Sequence, residues 1–175
     1  MENNEINYTP EFYEALNHCK KNHLFFGEGT PTAEILIIGK ECGFNTEKKA
    51  RLSNKEGVDL ENEILQISKE EADSNLYRLE NRCPLPKHVN YNPTWKNYQD
   101  LTNKIMGLNK TEWGSFLDDS FITEFSQVQL PYSNFLKEKG LTDRIRKESI
   151  NKREALFSLP FFRSFPVVIL ACGHL

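Results

Sequence analysis

Apolar positions along this chain fall into two patterns, continuous branched runs and helical stripes, and their alternation predicts a layered α/β fold. Ala33-Glu34-Ile35-Leu36-Ile37-Ile38-Gly39 and Phe165-Pro166-Val167-Val168-Ile169-Leu170-Ala171 are near-continuous apolar runs, as expected of strands covered on both faces in a parallel sheet. Ser120 to Ser126 is short and partly alternating, which predicts a further strand. The helical stripes lie between and before these runs. Pro10 to Asn22 places Phe12, Leu16 and Cys19 at helical spacing, with Thr9 as N-cap and Pro10 at the first position. A turn-rich loop from Phe25 to Thr32 leads into the first run. A second helix is predicted from about Asp59 on Leu60, Ile64, Leu65 and Ser68, and Cys83-Pro84-Leu85-Pro86 breaks it. A third starts at Asn92-Pro93, carries Trp95, Tyr98, Leu101, Thr102 and Ile105 on one stripe, and stops at Gly107. Its aromatic stripe reads as core. A fourth, around Glu148 to Ser158, ends at Pro160. Strands separated by helices imply right-handed crossovers, so the expected fold is a three-layer αβα sandwich on a short parallel sheet, one domain spanning residues 1–175.

Length and composition agree with a single hydrophobic core, and 175 residues exclude a barrel of eight βα units. The longest apolar run, Val167 to Cys172, is far short of the roughly 18–20 residues needed to cross a bilayer. The acidic start Met1-Glu2-Asn3-Asn4-Glu5 is unlike a signal peptide. A soluble, cytoplasmic protein is expected. The net charge of −3 offers no general attraction for nucleic acid, so any basic surface must be local. One segment qualifies: from Asn134 to Arg163 there are eight Lys or Arg against four Asp or Glu. Such a stretch reads either as a solvated face or as a phosphate-contacting one. Cys19, Cys42, Cys83 and Cys172 lack CxxC or CxH spacing and the four histidines are dispersed. Scattered reduced thiols and no metal or cofactor are therefore expected.

In an open parallel sheet, ligands bind beyond the carboxyl ends of the strands. The segments to inspect are Gly39-Lys40-Glu41-Cys42-Gly43-Phe44-Asn45 after the first run, Glu124 to Gln127 after the second, and Cys172-Gly173-His174 after the third. Gly39 and Gly43 would let the backbone turn sharply or approach a ligand, and exposed amides there would hold an anion. Simple chain reversal is the competing explanation. Neither GxxxxGK[ST] nor GxGxxG is present.

The segment Cys19-Lys20-Lys21-Asn22-His23-Leu24, followed by Gly27-Glu28-Gly29-Thr30-Pro31-Thr32-Ala33 and the run to Gly39-Lys40-Glu41-Cys42-Gly43, resembles the opening of the uracil-DNA glycosylase superfamily. In its iron–sulphur branch a cysteine pair precedes a GEGxPxA loop, an apolar strand and a GEAPG motif. Phe121-Ile122-Thr123-Glu124 and Pro166 to Gly173 resemble that superfamily's second and third strands. The resemblance implies a uracil-DNA glycosylase-like fold and hydrolysis of an N-glycosidic bond of a damaged or deaminated base, with DNA or a nucleotide as partner. Such cleavage builds positive charge on the sugar and negative charge on the leaving base, so it needs a water-holding group and donors facing the base. The superfamily's catalytic Asp or Asn position is matched by Glu41, which the resemblance makes the catalytic candidate; the acid of GEAPG, one place earlier, is matched by Lys40. Gly39, Lys40, Gly43, Phe44, Asn45 and Glu124 are the matching candidates for base or ligand contact, Phe44 by stacking.

The chain also departs from the family. Asn22 stands where the second cysteine of the pair would be, so no iron–sulphur cluster is expected, and Cys42 replaces the motif's proline. Glu124 stands at the family's base-reading Asn; an ionised carboxylate only accepts hydrogen bonds, which suits the amino group of cytosine or adenine better than uracil. The family's later helix, fourth strand and His-Pro-Ser motif have no counterpart here, so His174 does not carry over and the fold is expected to be C-terminally truncated. Three readings stay open: a base-processing enzyme, a non-catalytic relative that binds nucleotide, nucleic acid or protein, and a fragment. For Glu41 the alternative is an exposed loop carboxylate.

Overall fold

The protein is described by a computed structural model that covers residues 8–41, 46–81, 93–112, 114–132 and 134–172. Helix α1 (Pro10–Asn22) has the predicted bounds and caps. Thr9 Oγ1 accepts the Phe12 N–H at 3.3 Å, while His23 adopts a left-handed conformation (φ 51°) that lets Leu24 N–H reach the Cys19 carbonyl at 2.9 Å. Phe12, Ala15, Leu16 and Cys19 form the buried stripe.

A four-stranded sheet follows, built from β1 (Glu28–Gly29), β2 (Ile35–Glu41), β3 (Ser120–Ser126) and β4 (Val167–Ala171) in the order β1-β3-β2-β4. The three strands predicted from the apolar runs are parallel to one another, with Ile35 opposite both Ser120 and Val167. The two-residue β1 was not legible in the turn-rich loop. It pairs antiparallel with β3, Glu28 opposite Ile122, so the sheet is mixed rather than purely parallel. Gly27 makes that approach feasible: a Cβ there would stand 2.6 Å from the Ile122 carbonyl oxygen, and its φ of 142° suits glycine.

Helix α2 (Thr46–Leu52), α3 (Gly57–Glu80), α4 (Pro93–Met106) and a 3₁₀ turn (Ser115–Asp118) connect β2 to β3; α5 (Phe135–Glu138), α6 (Arg144–Phe157) and α7 (Pro160–Arg163) connect β3 to β4. The pleat divides the core. Leu36, Ile38 and Phe121 point into a cluster with Phe12, Leu16, Phe26, Leu156, Phe161 and Phe162, whereas Ile35, Ile37 and Ile122 meet Tyr98, Phe116 and Leu117 on the other face. Helices thus cover both faces of a mixed α/β sheet. A third cluster, including Leu52, Ile64, Val128, Leu136 and Ile145, lies where α2, α3, α5 and α6 meet the segment leaving β3.

Several elements differ from expectation. The charged stretch after β2 holds two helices rather than one; α3 runs to Glu80, short of the expected break at Cys83, and along it Leu65 is exposed while Ala72, Asn75 and Leu76 extend the buried face. Asn75 accepts from Phe26 N–H (3.0 Å) and Gly27 N–H (3.3 Å) and donates to the Gly27 carbonyl (2.7 Å), while Ser68 Oγ accepts from Gln129 N–H at 2.9 Å. A buried polar group that is fully bonded is compatible with a core, but no apolar count finds it. On α4, Ile105 is exposed and Gln99 is buried instead, where it accepts from Phe116 N–H at 2.8 Å. β4 is an edge strand with Val168 and Leu170 exposed, not covered on both faces as its sequence suggested. Among the described residues no helix is long and apolar enough to cross a membrane.

The basic segment is also redistributed. Arg153 is 0 % exposed. Its guanidinium donates to the Glu124 carbonyl (2.7 Å), the Phe25 carbonyl (2.5 Å) and Thr123 Oγ1 (2.8 Å), and it lies 5.5 Å from the Phe157 ring centroid. Arg144 pairs with Glu61 and Glu148, and Arg146 with Asp143. Lys137, Lys139, Lys147, Lys152 and Arg163 are exposed and make no ion pair among the described residues. The described cysteines, Cys19 and Cys172, are free and buried, whereas Cys42 and Cys83 lie outside the described residues.

Arg153→Met should lower the unfolding free energy by about 3 kcal/mol or more, because it strands buried acceptors; urea unfolding with an unchanged midpoint would contradict this. Burial pushes the Cys19 thiol from its ordinary 9.0 up to about 12, against a smaller opposing pull from the Arg153 charge. Since the folded value is the higher one, this contribution to stability is complete below pH 9 and lost as pH rises toward 12. The unfolding midpoint should therefore fall more steeply across that window in the wild type than in Cys19→Ala, and equal slopes would refute the assignment.

Candidate functional site

β2 is central, β3 and β4 flank it on opposite sides, and all three run parallel. The chain therefore leaves the carboxyl end of β2 toward one neighbour and the carboxyl end of β3 back across it toward the other. That divergence is the condition for a ligand crevice at the end of a parallel sheet.

Two sequence candidates meet there as register partners. Gly39 of β2 lies opposite Glu124 of β3 and Ala171 of β4. Side chains alternate along β3, so Glu124 points to the α4 face while its own carbonyl is held by Arg153. The Glu124 carboxylate rests on Gly39: a Cβ at Gly39 would stand 3.1 Å from Glu124 Cδ and nearer still to the buried Oε2. Gly39 thus lies within an extended strand, and the room left by its missing side chain is taken by a carboxylate.

Tyr98 of α4 and Cys172, just past β4, share this end of the sheet. Burial, and then the Glu124 charge, pushes the Tyr98 hydroxyl well above the usual phenol range. The same two causes, in the same order, raise the Cys172 thiol, with Lys40 pulling it slightly down. The Cys172 thiol is occupied by the backbone of β2, donating toward the Ile38 carbonyl at 3.4 Å and the Gly39 carbonyl at 3.6 Å. A nucleophilic thiolate is therefore disfavoured. What this end offers is the Glu124 carboxyl group flanked by a phenol and a thiol that both stay protonated at neutral pH.

The structure brings Gly39, Lys40 and Glu124 to one end of the sheet, with Lys40 half-buried. Glu41 ends β2 opposite Ser126, so its backbone stands at that end; its side chain lies outside the described residues. Gly43, Phe44 and Asn45 also lie outside the described residues, as does His174. Tyr98 was missed because an aromatic on an apolar stripe reads as core, and it is indeed only 7 % exposed. Cys172 was read as a scattered thiol, although its segment was among those set beyond the strands. Only the fold places both beside Glu124. Among the described residues no group of three His, Cys, Asp or Glu is placed to hold a metal ion. No family model, curated protein or solved structure matches this chain.

Gly39→Ala should cost about 1–3 kcal/mol by overpacking against the Glu124 carboxylate. The cost should shrink in a Glu124→Ala background; a double-mutant cycle with no coupling would show that the carboxylate does not occupy that space.

Proposed function

We propose that this chain is a uracil-DNA glycosylase-like protein that hydrolyses the N-glycosidic bond of a damaged or deaminated base in DNA. The observation that carries the reading is where the resembling residues fall: Gly39, Lys40 and the backbone of Glu41 at the carboxyl end of the central strand, and Glu124 beside them. These come from stretches more than eighty residues apart, and a ligand crevice of an open parallel sheet needs them together.

In this reading the Glu41 carboxylate orients a water against C1′ of the sugar and offsets the positive charge that develops there. The C1′–N bond breaks with its electron pair going to the base, the water oxygen bonds to C1′, and the released proton ends on the base or in solvent. Glu124, an acceptor only, takes a hydrogen bond from an exocyclic amino group, and Phe44 supplies a stacking face. Exposed lysines of α5 and α6 contact phosphates.

The test uses single-stranded and mismatched duplex oligonucleotides carrying uracil or an amino-bearing base, read as alkali-labile abasic sites. The wild type should release a base and Glu41→Gln should be slower by about 10²-fold or more. Glu124→Gln, which adds a donor, should shift preference toward uracil. Release no greater than in the Glu41→Gln control would sink the enzymatic reading, and DNA binding that persists alongside it would favour a non-catalytic relative.

A further inference from the structure

An open pocket of about 270 Å³ lies between α2 and the segment that runs from β3 into α5, and none of its lining residues belongs to the Glu124 site. Its floor is apolar: Leu52 and Phe135 line it, and both belong to the cluster beneath α2 and α3. Pro131 and Tyr132 form one side, and Lys49 and Lys139 stand on the walls. Neither lysine makes an ion pair among the described residues. α2 follows the carboxyl end of β2 and α5 follows that of β3. The walls are therefore contributed by the two segments that emerge at the end of the sheet.

Tyr132 is the informative residue. It is 48 % exposed, yet its ring is held from two sides. Its hydroxyl donates to the Glu138 carboxylate, and its ring sits edge-on to Phe135 with centroids 5.6 Å apart at 87°. A half-exposed aromatic plane fixed in this way loses little entropy when a partner stacks on it. An apolar floor is wrong for a hydrated metal ion, and two cations are wrong for a purely apolar ligand. The combination fits a planar ring that carries anionic groups. The volume is below the roughly 300–1,000 Å³ of pockets that enclose drug-sized ligands, so it suits one ring system.

We propose that this pocket holds a single unstacked nucleic-acid base on the Tyr132 ring, with Lys49 and Lys139 contacting its phosphates. The inference rests on the reading above that the partner is a nucleic acid, but it uses none of the residues given a part in bond cleavage. A stacking platform beside basic side chains is the general means of holding single strands without sequence preference.

Fluorescence anisotropy with a short labelled deoxythymidine oligomer tests it on the full chain. Tyr132→Ala should bind about tenfold more weakly, and Tyr132→Phe, which keeps the ring, within about twofold of the wild type. Lys49→Gln with Lys139→Gln should reduce the slope of log affinity against log salt by about 1.4, about 0.7 for each phosphate no longer neutralised. Thymidine monophosphate distinguishes the source: competition equal to that of the oligomer assigns the site to a free nucleotide, and much weaker competition to a strand. Oligomer binding that neither the tyrosine nor the lysine variant alters overturns the pocket while leaving the nucleic-acid reading standing. Absence of all binding at low salt overturns both, and equal competition by an acidic peptide overturns base recognition. Should Tyr132→Ala fail to fold by circular dichroism, the lysine pair, on exposed side chains, still decides the matter.

Discussion

A cation taken out of water has to be compensated within the protein, and here Arg153 sets the terms for the elements around it. Its guanidinium, on α6, joins two carbonyls and a hydroxyl contributed by β3 and by the chain ahead of β1. Thr123 passes the link on by donating to the Phe26 carbonyl at 2.9 Å. The donor fork is planar and its acceptors are mostly backbone, so these bonds tie α6 to β3. With α6 fixed, its Ser149 hydroxyl accepts from Gln127 N–H at 3.0 Å, just where the chain leaves β3. That bond and the one from Gln129 N–H to Ser68 Oγ hold the start of the segment leading to Tyr132 and α5.

The same fixed backbone controls the opposite face. Arg153 holds the Glu124 carbonyl from the α6 side, and the alternation of the strand then sends the Glu124 carboxylate toward α4. There the absence of a side chain at Gly39 lets it lie against β2. Its charge, added to burial, keeps Tyr98 and Cys172 protonated. One face of β3 is therefore organised by a buried cation and the other by a carboxylate at the strand's end, with one residue, Glu124, belonging to both.

Polar residues tie the remaining pieces together. Asn75 fastens α3 to the loop at Phe26 and Gly27, Ser68 fastens it to the chain beyond β3, and Gln99 fastens α4 to the 3₁₀ turn. Asn75 and Ser68 have backbone partners, and Gln99 bonds the Phe116 N–H together with the side chains of Asn103 and Ser115, so each is cheap to bury and costly to leave half-bonded. The apolar side chains form three clusters, one of which underlies the Tyr132 pocket.

The sequence by itself determined the elements whose signals are local. The caps of α1, the bounds of β3 and the apolar runs of β2 and β4 depend on neighbours a few residues away, and a period or a capping residue reports them. It also drew attention to Gly39 and Glu124, which it set just beyond the strands and which the structure places as register partners within β2 and β3. Tertiary structure decided what depends on distant partners. The burial of Arg153, which the charge count assigned to the surface, rests on acceptors as far away as Phe25. The burial of Asn75 rests on Phe26 and Gly27, and the proximity of Tyr98 and Cys172 to Glu124 rests on the order of strands. The exposure of Val168 and Leu170 has the same origin, since an apolar run has the same composition whether its strand lies inside a sheet or at its edge. A periodic pattern records which face avoids water, but a buried polar or charged group avoids it only after the rest of the chain has supplied its hydrogen bonds.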